Sequence, residues 1–193
     1  MLRNMDREQY LKQNFNDFWT SVFKNKMNYY SFLTMTNLID LKKAVSNINN
    51  IITLRTTLGF IDYLWKMRLI SNVEMNQMKN SVLSTNVNSN GYDIDNCGIV
   101  AEIKCNIPVN TSSYGAAQEK SIKEDLDGLY KGKSTSKTDP KNCYKFMVLL
   151  DVDGVRTSMQ KLVNKLSYKN IIEELNGNTM LSKDKIYIVY LKL

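Results

Sequence analysis

The chain has 193 residues, 43% of them hydrophobic, and a formal net charge of +7, which suits one sizeable core and an anionic partner, nucleic acid being the usual one. It contains no histidine and 3 cysteines, which excludes a Ser-His-Asp triad and histidine-based zinc sites and argues against a disulfide scaffold. The N-terminal residues lack the apolar core of a signal peptide and no apolar run approaches membrane-spanning length, so the expectation is one cytoplasmic domain over 1–193 with no membrane partner.

The first part of the chain reads as helical. Tyr10, Leu11, Phe15, Phe18, Trp19, Val22 and Phe23 recur at helical spacing within residues 6–25, an aromatic stripe that is expected to pack into a core rather than to stack on bases. Leu38, Leu41, Val45, Ile48, Ile52 and Leu58 continue the pattern over 36–58, with Gly59 as an expected break before a further helix through Ile61, Leu64, Trp65 and Leu69. Ser71 and Glu74 have the spacing of a capping box. The polar stretch 84–90 then separates a mainly helical sub-structure, 1–85, from the remainder, 86–193.

That remainder begins with a hairpin over residues 91–104. Asn96, Cys97 and Gly98 are expected to turn, because Asn and Gly tolerate positive φ. The apolar run Ile99-Val100-Ala101 continues into Glu102-Ile103-Lys104, and alternation puts Glu102 and Lys104 on one face of the strand. Asp93, on the facing arm, can approach Glu102 across the pair. Two carboxylates and a lysine on one patch of sheet are costly to bury unless they bind something.

Pro108 should end that strand. A helix follows over 116–131 with Ile122, Leu126 and Leu129 as its buried stripe, and Gln118 lies on the same stripe near the positive end of the helix. Residues 131–142 form a lysine-rich loop, read first as solvated and second as a source of phosphate contacts; Lys120, Lys131, Lys133 and Lys137 are the candidate nucleic-acid contacts. An apolar strand over 144–151 closes in a turn at Asp151, Asp153 and Gly154. A helix is expected over 157–175, buried through Met159, Leu162, Val163, Leu166, Ile172 and Leu175 and capped by Asn176 and Gly177, and a last strand over 185–193. Strand, strand, helix, strand, helix, strand implies an α/β fold with a mixed β-sheet flanked by helices.

Asp93 followed by Glu102-Ile103-Lys104 resembles the active-site motif of the PD-(D/E)xK phosphodiesterase superfamily, with Tyr92 in place of the family's proline. Two further copies of the short pattern, Asp40-Leu41-Lys42 and Asp139-Pro140-Lys141, lie in a helical pattern and a proline-containing loop and lack the strand context. The resemblance covers residues 86–193 and implies a restriction-endonuclease-like core with Asp93, Glu102, Lys104 and Gln118 as catalytic residues. It implies Mg²⁺, with Mn²⁺ as a substitute, held by Asp93, Glu102 and the backbone carbonyl of Ile103; Asp95 is the reserve ligand, and Glu74 a further acid whose capping role already explains it. The function implied is a Mg²⁺-dependent endonuclease, most like a homodimeric type II restriction enzyme cutting double-stranded DNA. A structure-selective resolvase or repair nuclease, a DNA-binding module with a vestigial site, and an interaction protein dimerising through its helical part are the alternatives.

Overall fold

Alternation along strand β2 (Ile99–Lys104) sets the layering, because nearly every one of its residues is buried and successive side chains meet different helices. The structure is a computed structural model that describes residues 6–84, 91–108, 112–177 and 179–192. The chain divides into two compact units, Met1–Ile48 and Asn49–Leu193.

In the larger unit the sheet has the order β1-β2-β3-β5-β4, built from β1 (Ile94–Asn96), β2, β3 (Tyr144–Leu150), β4 (Ile172–Glu174) and β5 (Ile186–Leu191). β1 runs antiparallel to β2 and every other neighbouring pair is parallel, so the protein has a mixed α/β fold. On one face Ile99, Ala101, Ile103, Phe146, Val148, Tyr187 and Val189 pack with Phe60, Ile61 and Leu64 of α2 (Met35–Lys66) and Met78 of α3 (Asn72–Ser84). On the other, Val100, Met147, Leu149, Ile186 and Ile188 pack with Ile122, Leu126 and Leu129 of α4 (Ala116–Lys131) and Val155, Met159 and Leu162 of α5 (Val155–Asn164). A strand period of two therefore sorts the apolar residues into two cores, one per face.

The hairpin turn lies within the three residues the sequence suggests and uses the last two of them. Asn96 still pairs with Ile99, and the positive φ angles are those of Cys97 (54°) and Gly98 (71°), the two-residue turn whose twist matches that of its strands. Gly59 does not break α2: one helical glycine costs about 1 kcal/mol, less than the burial of Phe60, Ile61 and Leu64 returns at about 1.5–3 kcal/mol each. The helix expected over 157–175 ends at Asn164. Ile172 instead pairs with Ile186 as part of β4, since the open edge of β5 offers a β-branched residue a ladder that helix propensity cannot outweigh. Asn176 and Gly177 therefore cap no helix. The boundary expected at 84–90 lies, apart from Ser84, outside the described residues.

In the smaller unit Asp6 caps α1 (Arg7–Phe23), accepting from Gln9 N–H at 2.8 Å, and Lys24 ends it with φ 55°. Phe15, Trp19 and Phe23 pack in succession along the helix, the last two stacked, and meet Tyr30 and Tyr29. No residue of α1 is buried, which corrects the core reading of the aromatic stripe. Within this unit the rings pack on one another, with Phe15 and Trp19 half-buried and Phe18 and Phe23 exposed.

Candidate active site

The face of β2 that looks toward α4 carries Val100, Glu102 and Lys104 in succession. The first is apolar and completes the core; Glu102 is only 3% exposed, and Lys104 emerges at the strand's C-terminal end. Ile94 pairs with Ala101, so the residue preceding β1, Asp93, comes opposite Glu102. Its Oδ2 accepts from the Ile103 N–H at 2.7 Å. The hairpin is fastened to α4 by Tyr92, whose hydroxyl donates to the Gly128 carbonyl at 2.9 Å.

α4 crosses this face and adds two side chains one turn apart. Lys104 Nζ pairs with Asp125 Oδ2 and donates to Ser121 Oγ at 3.1 Å. A second lysine then closes the cluster. Gly132 turns the chain at the end of α4 with φ 97°, and Lys133 lies back across the helix. Its Nζ stands 2.6 Å from Glu102 Oε1 and 3.1 Å from Asp125 Oδ1, donates to the Gly91 carbonyl at 3.0 Å, and sits 5.4 Å from the centre of the Tyr92 ring. Three carboxylates and two ammonium groups thus share one patch, leaving one negative charge in excess when all are ionised.

That excess sets the electrostatics. Burial pushes Glu102 up to about 8, and the Asp125 and Asp93 carboxylates push in the same direction against Lys133. At Asp93 desolvation also raises the pKa, opposed by the Ile103 N–H and the Lys104 charge, though the residue is more exposed than Glu102. Burial works against the charge on Lys133, but Glu102 and Asp125 outweigh it and hold the ammonium protonated to higher pH than usual. Although Lys133 is an ion-pair neighbour of Glu102 Oε1, its approach lies outside hydrogen-bond geometry, and that buried oxygen has no hydrogen bond.

No group of three or more Cys, Asp or Glu among the described residues is gathered closely enough to enclose a metal ion; Lys133 stands between Glu102 and Asp125. The donor chemistry nevertheless fits Mg²⁺. Glu102, Asp125 and Asp93 are hard oxygen donors, the Gly91 carbonyl is a fourth, and Glu102 Oε1 is a buried oxygen whose close charge partner is Lys133.

Asp93, Glu102 and Lys104 are brought together as the motif suggests. Ile103 enters through its N–H, to Asp93. Asp95, the reserve ligand, is engaged elsewhere: it accepts from Ser136 Oγ at 3.1 Å and Thr138 Oγ1 at 2.9 Å. Glu74 is committed to its capping box, its Oε2 accepting from Ser71 N–H at 2.7 Å while its own N–H donates to Ser71 Oγ at 3.2 Å. Gln118 is also spent on backbone, accepting from Gly115 N–H at 3.0 Å and donating to the Ile107 carbonyl at 3.1 Å, so it shapes the rim of the groove that also contains Lys104 and Ser121. Lys120, Lys131 and Lys137 are exposed, Lys120 beside Glu124 at 3.9 Å. Lys133 is not a free loop lysine but part of the acid cluster.

Sequence reading missed Asp125 and Ser121. The signal was present: Gln118, Ser121 and Asp125 follow one another at steps of three and four, the polar continuation of one helix face. Comparisons of the chain with profiles of known families, with curated proteins and with solved structures found no match. Among the described residues no helix is long and apolar enough to cross a membrane.

Proposed function

We propose that this protein is a Mg²⁺-dependent nuclease of the PD-(D/E)xK type, acting on double-stranded DNA. The observation that supports this best is the convergence of Asp93, Glu102 and Lys104 on one end of β1 and β2, with Asp125 of α4 completing the acidic side. The mixed sheet, with α4 linking parallel β2 and β3, is compatible with a restriction-endonuclease-like core.

A bound Mg²⁺ would lower the pKa of a water molecule and neutralise charge on the scissile phosphate. The protein's own residues set the stage for it. Asp93, Glu102 and Asp125 would hold the ion, and the hydrogen bond from the Ile103 N–H fixes Asp93 beside Glu102. Lys104, oriented by Asp125 and Ser121, donates to the attacking water and to a phosphate oxygen, where positive charge counts most as negative charge grows. The exposed Lys120, Lys131 and Lys137 supply contacts to backbone phosphates that carry no sequence information. Cutting both strands of a duplex calls for two such sites, hence a homodimer; within this reading a type II restriction enzyme is preferred to a structure-selective resolvase.

A second reading is favoured by Lys133. An ammonium set among the carboxylates could serve permanently in place of an ion, which would make the protein a DNA-binding module. Incubation with plasmid and genomic DNA, with and without Mg²⁺, beside Lys104→Ala separates the two. Discrete fragments that require both the ion and Lys104 are expected; salt-sensitive DNA binding without cleavage would replace the nuclease reading with the second one.

A further inference from the structure

Lys133 is seated with more care than a loop lysine needs. Its ammonium is surrounded by Glu102 Oε1, Asp125 Oδ1 and the Gly91 carbonyl at 2.6, 3.1 and 3.0 Å, the donor types that a hard cation selects. The Tyr92 ring lies alongside at 5.4 Å. Its stem passes over Gly128, where an added Cβ would come within 2.9 Å of Lys133 Cγ, so α4 carries a glycine where the lysine crosses it. The following loop is tied down by Asp95 through Ser136 and Thr138. One of the oxygens around the ammonium, Glu102 Oε1, is buried and has no hydrogen bond.

Resting on the nuclease reading, we propose that Lys133 is an exchangeable internal cation: it occupies the position between Glu102 and Asp125 that a divalent ion takes, so that seating of Lys133 and binding of the ion exclude each other. Two cations cannot share that space, since the ammonium is already at contact distance from both carboxylates and like charges so close repel strongly. In the absence of the ion Lys133 satisfies the acids and holds the site together; the ion enters only when the lysine withdraws. Its apparent affinity is lowered by the fraction of molecules in which the lysine is seated. Asp95 then has a role that its place in the motif does not suggest, as the latch of the loop that carries Lys133.

The test is calorimetric titration of Mn²⁺ into the intact protein, combined with labelling by an amine-reactive reagent and peptide mass spectrometry, with Lys145 as an internal reference. Lys133→Met removes the competing ammonium, and Gly128→Ala unseats its stem while keeping every charge. Binding about tenfold tighter or more is expected in Lys133→Met, with a change in the same direction in Gly128→Ala, and labelling of Lys133 in the wild type is expected to rise several-fold when Mn²⁺ binds. If Mn²⁺ binds and is lost in Glu102→Gln, yet Lys133 labelling does not move, the exchange is overturned and the nuclease reading stands. If neither the wild type nor either variant binds Mn²⁺, both fall.

Discussion

Lys133 and Lys145, both in the larger unit, are held in opposite ways. Lys133 sits among carboxylates; Lys145 of β3, only 4% exposed, donates to the carbonyls of Pro140, at 3.3 Å, and of Lys183. The pKa of the first is raised because Glu102 and Asp125 outweigh its burial. That of the second is lowered because burial prevails over the more distant Asp184 and Asp139. Carbonyl dipoles satisfy an ammonium without any surplus of negative charge, so the Lys145 site is a clamp that ties the 140 and 183 loops to the start of β3. A cluster of three acids and two lysines retains a surplus, and a surplus buried against a sheet is what a further cation can satisfy. The contrast separates a lysine that serves the fold from lysines that belong to a site.

The largest effect that could sharpen this contrast is on chemistry. Asp125→Ala removes the partner that orients Lys104, and a loss of Mg²⁺-dependent plasmid cleavage of about 10²-fold or more is expected, whereas Lys145→Met, assayed below its unfolding range, keeps the wild-type rate. Stability follows the same order. In urea unfolding Asp125→Ala is expected to cost about 3–5 kcal/mol, because it deprives two partly buried ammonium groups of one partner, and Lys145→Met about 1–3 kcal/mol for the Lys183 carbonyl that loses its lysine donor, the Pro140 carbonyl keeping the Cys143 N–H. Equal losses of cleavage in the two variants would break the distinction.

The pH dependence of stability should have opposite signs at the two sites. Glu102 titrates near 4.5 in the unfolded chain and about 8 in the folded one, so across that window the folded state binds the extra proton. Its contribution is fully present below 4.5 and is lost as pH rises through about 8. Lys145, lowered from 10.5, gives up its proton earlier when folded; the unfolded chain then binds more protons, and stability rises with pH from the lowered folded value up to 10.5. Metal-free melting curves should show a decline across the first window that flattens in Glu102→Gln, and a rise in the second that flattens in Lys145→Met. A decline unchanged in Glu102→Gln would show that another group carries it.

The smallest effect is expected at Asp95. Its hydrogen bonds to Ser136 and Thr138 are exposed, so Asp95→Ala should cost about 1 kcal/mol and leave cleavage intact, while Asp93→Ala, at the same sheet edge, should abolish it. Cleavage assays on the two variants side by side distinguish the acid that faces Glu102 from the acid that holds a loop.

Much of this arrangement is readable from the chain alone where it depends on neighbours in sequence. The alternation through Ile99 and Lys104 places Glu102 and Lys104 on one side of a strand, the stripe of Ile122, Leu126 and Leu129 defines α4, and the Ser71–Glu74 pair marks the start of α3, because periods of two and 3.6 and capping are local. What only the tertiary structure decided is which charges meet. Asp125 and Lys133 join the site because α4 crosses β2 at one angle and Gly132 turns the chain back, and neither fact is encoded in a short window. Gln118, at the right spacing, was claimed by the Ile107 carbonyl and Gly115, and the residues after Asn164 left their helical pattern for the open edge of β5. Burial compels every buried ammonium and carboxylate to find a partner, and the partner at hand depends on packing rather than on distance along the chain.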